Sequence, residues 1–186
     1  AAGQALRHDA GADNSGEQQR GANGFGHESS RDTHGSAHPP GRLHRSQGMT
    51  KRRVLFLCTH NSARSQMAEG FLRHFAGDRF EVESAGTEET RVHPLAIRVM
   101  GEAGVDLSCH RSKTLYRFLE QPWDQVITVC DHANERCPVF PRSAARLHWS
   151  FEDPSRATGT EEERLASFRR IRDQIGAQIT DWVARA

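Results

Sequence analysis

The chain has 186 residues, with 25 Lys and Arg against 24 Asp and Glu and a formal net charge of +1. So even a balance gives no electrostatic footing for nucleic acid or an anionic membrane surface, and the apolar runs are far shorter than the roughly 20 residues that span a bilayer. The length suggests one domain with a tail. No charged segment followed by an apolar stretch opens the chain, so no signal peptide is expected. Four cysteines without an export signal fit a reducing cytoplasm, where paired cysteines are more often catalytic or metal-binding than structural.

Residues 1–48 form a compositional block of their own. Their large apolar residues are Leu6, Phe25 and Leu43, and Pro39-Pro40 lies near the end. Such a segment buries too little apolar surface to offset its ordering entropy, so a disordered N-terminal extension is expected. Its histidines, His8, His27, His34, His38 and His44, are irregularly spaced and make a poor metal site. The folded domain is expected over 49–186.

That domain opens on its most informative stretch. Val54-Leu55-Phe56-Leu57 reads as a strand covered on both faces. Residues 65–75 read as a helix, with Met67, Ala68, Phe71, Leu72 and Phe75 at helical spacings. Between them lie Cys58, the short polar loop Thr59-His60-Asn61-Ser62-Ala63, and Arg64. A strand–loop–helix turn aims backbone N–H groups and a helix dipole at one point, so an anion belongs there. Cys58 stands at its mouth, where the thiol is expected to fall below the free value of about 8.5. Arg64 offers a planar fork suited to a tetrahedral oxyanion.

Residues 80–84 read as a second strand, closed by the turn Ser84-Ala85-Gly86-Thr87. Pro94 opens a helix carrying Leu95, Ile97, Val99 and Met100, which Gly101 and Gly104 weaken and end. A connection over 105–108 leads to a helical turn at 114–119, closed before Pro122. Residues 123–129 read as a third strand ending at Cys130, and 146–149 as a fourth. A loop or short helix over 131–137 separates the two, and a loop follows at 151–154. The last helix, 160–183, has a Thr160/Glu163 capping box and Leu165, Phe168, Ile171, Ile175, Ile179 and Trp182 on one face. Alternating strands and helices give an α/β class: a small, open, parallel four-stranded sheet flanked by helices. Ligands of such sheets bind beyond the carboxyl ends of the strands. Cys58, Cys130 and the 151–154 loop all follow strand ends.

Cys130 and Cys137 are six residues apart, wider than the two to four usual in zinc pairs. Only Cys109-His110 is available to complete a site. The pair is either two unrelated buried thiols or a redox couple in a polar segment. The flanking Asp131, His132, Asn134, Glu135 and Arg136 look solvated, and exposed, labile disulfides are the redox-active ones.

Cys58-x5-Arg64-Ser65 resembles the phosphate-binding loop of the low-molecular-weight tyrosine phosphatases. Extended through Gln66-Met67-Ala68-Glu69-Gly70, it resembles the arsenate reductases built on that fold. Thr128-Val129-Cys130-x6-Cys137-Pro138 is similar to the redox pair of thioredoxin-coupled arsenate reductases. His148-Trp149-x-Phe151-x-Asp153-Pro154 resembles their acid loop, and Thr158 to Glu163 the start of their last helix. Ser155 stands where the phosphatases usually carry a tyrosine. The resemblance implies an oxyanion held by the amides of Thr59, His60, Asn61, Ser62, Ala63 and Arg64. It implies Cys58 as nucleophile, Asp153 as general acid, and Cys130 and Cys137 as a thiol relay. The implied partners are arsenate, with phosphate as its analogue, and thioredoxin or a similar dithiol; neither cofactor nor metal is implied. Ser65 can hydrogen-bond the Cys58 thiolate, or be an ordinary first-turn residue. Asn61 can brace the loop, or be a turn residue tolerant of left-handed dihedrals. Lys113 follows Ser112 where some relatives hold potassium, and its ammonium can replace that ion or simply face solvent. Cys109 has no counterpart and is expected to pack as a small apolar residue.

Three functions are open at this point. A reductase needs all three thiols. A phosphatase needs Cys58, Arg64 and Asp153 but no second thiol. An arsenite- or anion-binding sensor would need Cys58, Cys130 and Cys137 to converge, and would leave Arg64 and Asp153 without a chemical purpose.

Overall fold

The computed structural model describes residues 50–186. The expected extension over 1–48 lies outside the described residues, as does Met49. The strands are β1 Arg52–Cys58, β2 Phe80–Gly86, β3 Trp123–Thr128 and β4 Ser143–His148. The helices are α1 Arg64–Ala76, α2 Pro94–Glu102, α3 Asp131–Arg136 and α4 Glu161–Arg185, with 3-10 turns at Leu115–Arg117 and Pro154–Arg156. The sheet has the order β2-β1-β3-β4, and every pairing in it is parallel.

β1 pairs on both sides and is covered on both faces, which is why its apolar run does not alternate. Val54, Phe56 and Cys58 face a core shared with α1, α2 and α4. Leu55 and Leu57 face a second core with Leu115, Phe118, Trp123, Val126 and Phe140. α4 lays Leu165, Phe168, Ile171, Ile175, Ile179 and Trp182 into the first core. Each large side chain buried this way stabilises the fold by roughly 1.5–3 kcal/mol. Both bonds of the Thr160/Glu163 capping box are made. Among the described residues no helix is long and apolar enough to cross a membrane.

The departures from the sequence reading have local causes. β1 starts at Arg52 because the ladder to β2 pairs Arg52 with Phe80 and Arg53 with Glu81, and the Arg53 side chain is anchored over the neighbouring strand. Its guanidinium lies 4.4 Å over the Trp123 ring and donates to the Pro122 carbonyl at 2.7 Å. β4 begins at Ser143 rather than 146, since Ser143-Ala144-Ala145 has no apolar pattern and only the ladder to β3 recruits it. Trp149 falls just beyond the strand and packs on Phe56 and Trp182. Phe75 is not core; it is 46% exposed and stacks on Phe71 at 5.2 Å. Cys109 is exposed rather than packed. Leu107, fully buried, anchors that connection, and the turn closed by Ser108 N–H on Asp106 Oδ1 points the next residue outward.

Candidate active site

Because all four strands are parallel, their carboxyl ends share one edge, where ligands of open sheets bind. Cys58 ends β1, Cys130 directly follows the β3 extension at Val129, whose N–H bonds the Leu57 carbonyl at 2.8 Å, and the 149–153 loop follows β4. A cavity of about 750 Å³ there is lined by Thr59, Arg64, Cys130, His132 and Asp153 among others. A second of about 270 Å³ reaches Cys58 and shares His60, Arg64 and Asp153 with the first.

The loop between β1 and α1 has its carbonyls turned outward. Those of Cys58, Thr59 and Ser62 accept from the N–H groups of Thr87, Glu88 and His93. The His60 carbonyl accepts from Thr90 Oγ1 and Ser112 Oγ, that of Asn61 from Gln66 Nε2, and that of Ala63 from Met67 N–H. In a planar trans peptide the N–H of the following residue points the opposite way. The amides of residues 59–64 therefore face inward, forming a nest of positive dipoles. No side chain caps α1 and its first turn holds no acidic residue, so its positive end adds to the same field.

Asn61 is the keystone of this loop. It is fully buried and holds a left-handed φ of 47°, which Asn tolerates better than most residues. Its N–H donates to Cys58 Sγ at 3.0 Å. Its Nδ2 donates to Ser65 Oγ at 2.9 Å and Ser84 Oγ at 2.8 Å, while Oδ1 accepts from Lys113 N–H at 2.7 Å and Gln66 Nε2 at 2.9 Å. Ser65 Oγ in turn meets Cys58 Sγ at 2.9 Å. Gly86 closes the loop from behind: a Cβ there would lie 2.7 Å from the Thr59 carbonyl oxygen and 2.8 Å from the Asn61 nitrogen.

Burial pushes the Cys58 thiol above its ordinary 9.0. The Ser65 hydrogen bond opposes that, Cys130 adds to it, and Arg64 opposes it again. The expected fall below the free value is therefore corrected: at 3% exposure loss of hydration outweighs the favourable contacts. Arg64 donates through Nη1 to the Phe151 carbonyl at 2.9 Å, and Nη2 lies 3.2 Å from Asp153 Oδ2. For Asp153, burial raises the carboxyl. The Ser155 hydroxyl, the Arg64 charge and the Ser155 N–H outweigh that burial and leave it below the usual carboxylate value.

Cys130 is buried, and its Sγ lies 3.6 Å from Thr59 Oγ1. Cys137 is half-buried at the far end of α3 and packs against the second core. With α3 intact the two are separated by about 10 Å of helix rise, beyond the roughly 7 Å that a disulfide spans. With α3 intact, Cys137 therefore does not converge with Cys58 and Cys130, and the three-thiol arsenite sensor has no formed site in this structure.

From residue 53 to 186 the chain matches the family described as low molecular weight phosphotyrosine protein phosphatase. It belongs to that family. The arsenate reductase of Halalkalibacterium halodurans is 48% identical over 131 residues, 70% of this chain and 94% of that one. A solved arsenate reductase in the phosphate binding state is 34% identical, with a TM-score of 0.63 over 72% of this chain and 98% of its own. The thioredoxin-dependent arsenate reductase of Corynebacterium glutamicum is 29% identical, with a TM-score of 0.56 over 73% of this chain and 61% of its own.

Within this member of the phosphatase family, Cys58, Arg64, Ser65, Cys130 and Asp153 meet at one sheet edge, while Cys137 stands apart beyond the far end of α3. Sequence reasoning missed the supporting partners. Ser84 Oγ donates to the buried Glu69 carboxylate at 2.5 Å, and Lys113 Nζ lies 2.6 Å from Glu83 and 3.3 Å from Glu69. Lys113 thus does not face solvent; it places an ammonium behind Asn61. His132, read as merely solvated, has Nδ1 3.1 Å from Thr59 Oγ1. Its one sequence signal was a histidine two residues after a candidate redox cysteine.

Proposed function

We propose that this protein reduces arsenate to arsenite through Cys58, Cys130 and Cys137, with electrons from thioredoxin or a similar dithiol. The observation that carries the proposal is the pairing of an inward-facing amide nest around Cys58 with a second thiol, Cys130, just beyond the end of the adjacent strand. The arsenate reductases among its relatives support the substrate, and the thioredoxin-dependent one supports the reductant. Its free thiols fit a reducing cytoplasm.

Arsenate is held by the amides of residues 59–64 and the Arg64 fork. An incoming dianion draws Arg64 from Asp153 and adds negative charge beside that carboxyl, which raises its proton affinity. Asp153 then protonates the departing oxygen, which leaves as water while Cys58 Sγ forms a bond to arsenic. The Cys58 proton passes to an oxygen of the incoming dianion, and Asn61 N–H and Ser65 Oγ stabilise the thiolate that attacks. Cys130 attacks Cys58 Sγ, and the S–As electron pair stays on arsenic. Arsenic falls from the +5 to the +3 state as two thiols become one disulfide. Cys137 then attacks Cys130 Sγ and releases Cys58 as thiolate. That last step requires α3 to unwind, because the intact helix holds its two sulfurs too far apart. The external dithiol reduces the Cys130–Cys137 bond.

Phosphate shares the shape and charge of arsenate but leaves nothing for Cys130 and Cys137 to do, so phosphatase chemistry is a side activity of the same loop. The test is arsenate turnover with a thioredoxin regeneration system beside p-nitrophenyl phosphate hydrolysis. Turnover of arsenate supports the reading; ester hydrolysis with no arsenate turnover makes the protein a phosphatase.

A further inference from the structure

Cys130 must lose a proton before it can attack, beside an adduct that already carries the negative charge of arsenate. The groups around it narrow the choice of base. Asp131 gives up Oδ1 to His148 Nε2 at 3.0 Å, and hydrogen bonds from Ser150 and His148 hold its carboxyl below the usual value. Asp153 is engaged by Arg64 and Ser155. Asp131 is therefore a poor base, and among the described residues Asp153 makes no hydrogen bond to the Cys130 sulfur. What touches the Cys130 sulfur is the Thr59 hydroxyl, at 3.6 Å. That same oxygen is 3.1 Å from His132 Nδ1. His132 is exposed and lines the larger cavity with Thr59 and Cys130.

We propose that Thr59 and His132 form a proton relay that deprotonates Cys130 for its attack on Cys58. The idea deepens the reductase reading and rests on it. The Cys130 S–H proton passes to Thr59 Oγ1 while the Thr59 hydroxyl proton passes to His132 Nδ1, the imidazole starting with its own proton on Nε2. The thiolate forms the S–S bond with Cys58, the S–As bond breaks with its pair on arsenic, and His132 releases its proton to solvent. His132 never touches the arsenic; it acts through Thr59. The relay also ties the oxyanion loop to α3, so the second thiol is activated from the loop that binds the substrate.

The experiment is a single turnover: full-length reduced protein, excess arsenate, no external dithiol, rapid quench by alkylation, and mass spectrometry of the Cys58–Cys130 disulfide summed with its Cys130–Cys137 product. A free thiol is only a few per cent ionised at neutral pH, so full ionisation gains at most about thirtyfold. His132→Ala is expected to slow disulfide formation by about tenfold. Added imidazole should restore most of the rate in His132→Ala but none in Thr59→Val, where the connecting hydroxyl is gone. His132→Asn, which keeps a hydrogen-bond partner for Thr59 but cannot take a proton, should stay slow. Disulfide formation at the wild-type rate in His132→Ala overturns the relay while leaving the reductase reading intact. So does a loss that Asn repairs and imidazole does not, since that marks a merely structural contact. If the wild type forms neither a Cys58–Cys130 nor a Cys130–Cys137 disulfide, or Cys130→Ser still turns over arsenate, the reductase reading itself fails and the relay falls with it.

Discussion

Replacing Arg64 by Lys keeps the positive charge and removes the fork. In the fold the Arg64 side chain is only 11% exposed, its guanidinium held by the Phe151 carbonyl through Nη1 and by Asp153 through Nη2. A lysine ammonium reaches one of these anchors at a time and presents a point charge instead of two parallel donors. A hydrogen bond to a charged group contributes about 1.5–3 kcal/mol, and the variant forfeits at least one such bond to the transition state along with the anchoring that aims the other. The expected loss in kcat/KM for arsenate is about a hundredfold, which corresponds to ~2.7 kcal/mol. The assay is steady-state arsenate turnover coupled to thioredoxin oxidation, with a thermal melt as a control for folding. A folded Arg64→Lys protein within about threefold of wild type would remove bidentate recognition from the mechanism.

Cys130→Ser and Cys137→Ser should each abolish arsenate turnover while p-nitrophenyl phosphate hydrolysis persists. Under arsenate, mass spectrometry should find a Cys58–Cys130 disulfide in Cys137→Ser and none in Cys130→Ser. Ultraviolet titration of the ligand-free protein should place Cys58 above 9.0, since its burial dominates. A thiol raised in the folded state contributes stability below its unfolded pKa and loses it as pH climbs through the folded one. The melting temperature should therefore drop above about pH 9, and the drop should shrink in Cys58→Ser. Gly86→Ala forces a Cβ onto three backbone atoms of the oxyanion loop and its neighbour. Overpacking of that kind costs roughly 1–3 kcal/mol, read as a melting point lower by several degrees together with reduced arsenate turnover. Since the Lys113 ammonium already sits between Glu69 and Glu83, exchanging potassium for sodium at constant ionic strength should leave turnover unchanged; a strong potassium requirement would show that Lys113 does not serve as the cation.

The order of strands and helices was legible because each carries its own local signal. β1 is a continuous apolar run, α4 a capping box followed by a six-residue apolar stripe, and α2 begins at a proline. The Cys58-x5-Arg64 spacing placed the nucleophile and fork by chain connectivity alone, since a strand and a helix joined by five residues leave the loop little freedom. β4 was misplaced at its start because a polar and two alanines carry no pattern, and a ladder of backbone bonds decides an edge strand. Cys109 was misread for a related reason: burial of a small residue depends on which way a turn points it.

Residue identity and spacing therefore determined the chemistry on offer: three thiols, a guanidinium, a carboxylate and an anion loop. Only tertiary structure decided how they are tuned. The Asn61 network joins four residues from three segments, Ser65 and Gln66 of α1, Ser84 of β2 and Lys113, through bonds spanning up to 52 positions. The Cys58 thiol is raised because folding removes it from water, a collective effect of packing that no local motif encodes. The partnership of Thr59 with Cys130 and His132 likewise exists only because β1 and β3 lie side by side. Hydrogen bonds and desolvation act over a few ångströms in space, and the chain brings those groups together across some 70 residues only once the sheet has formed.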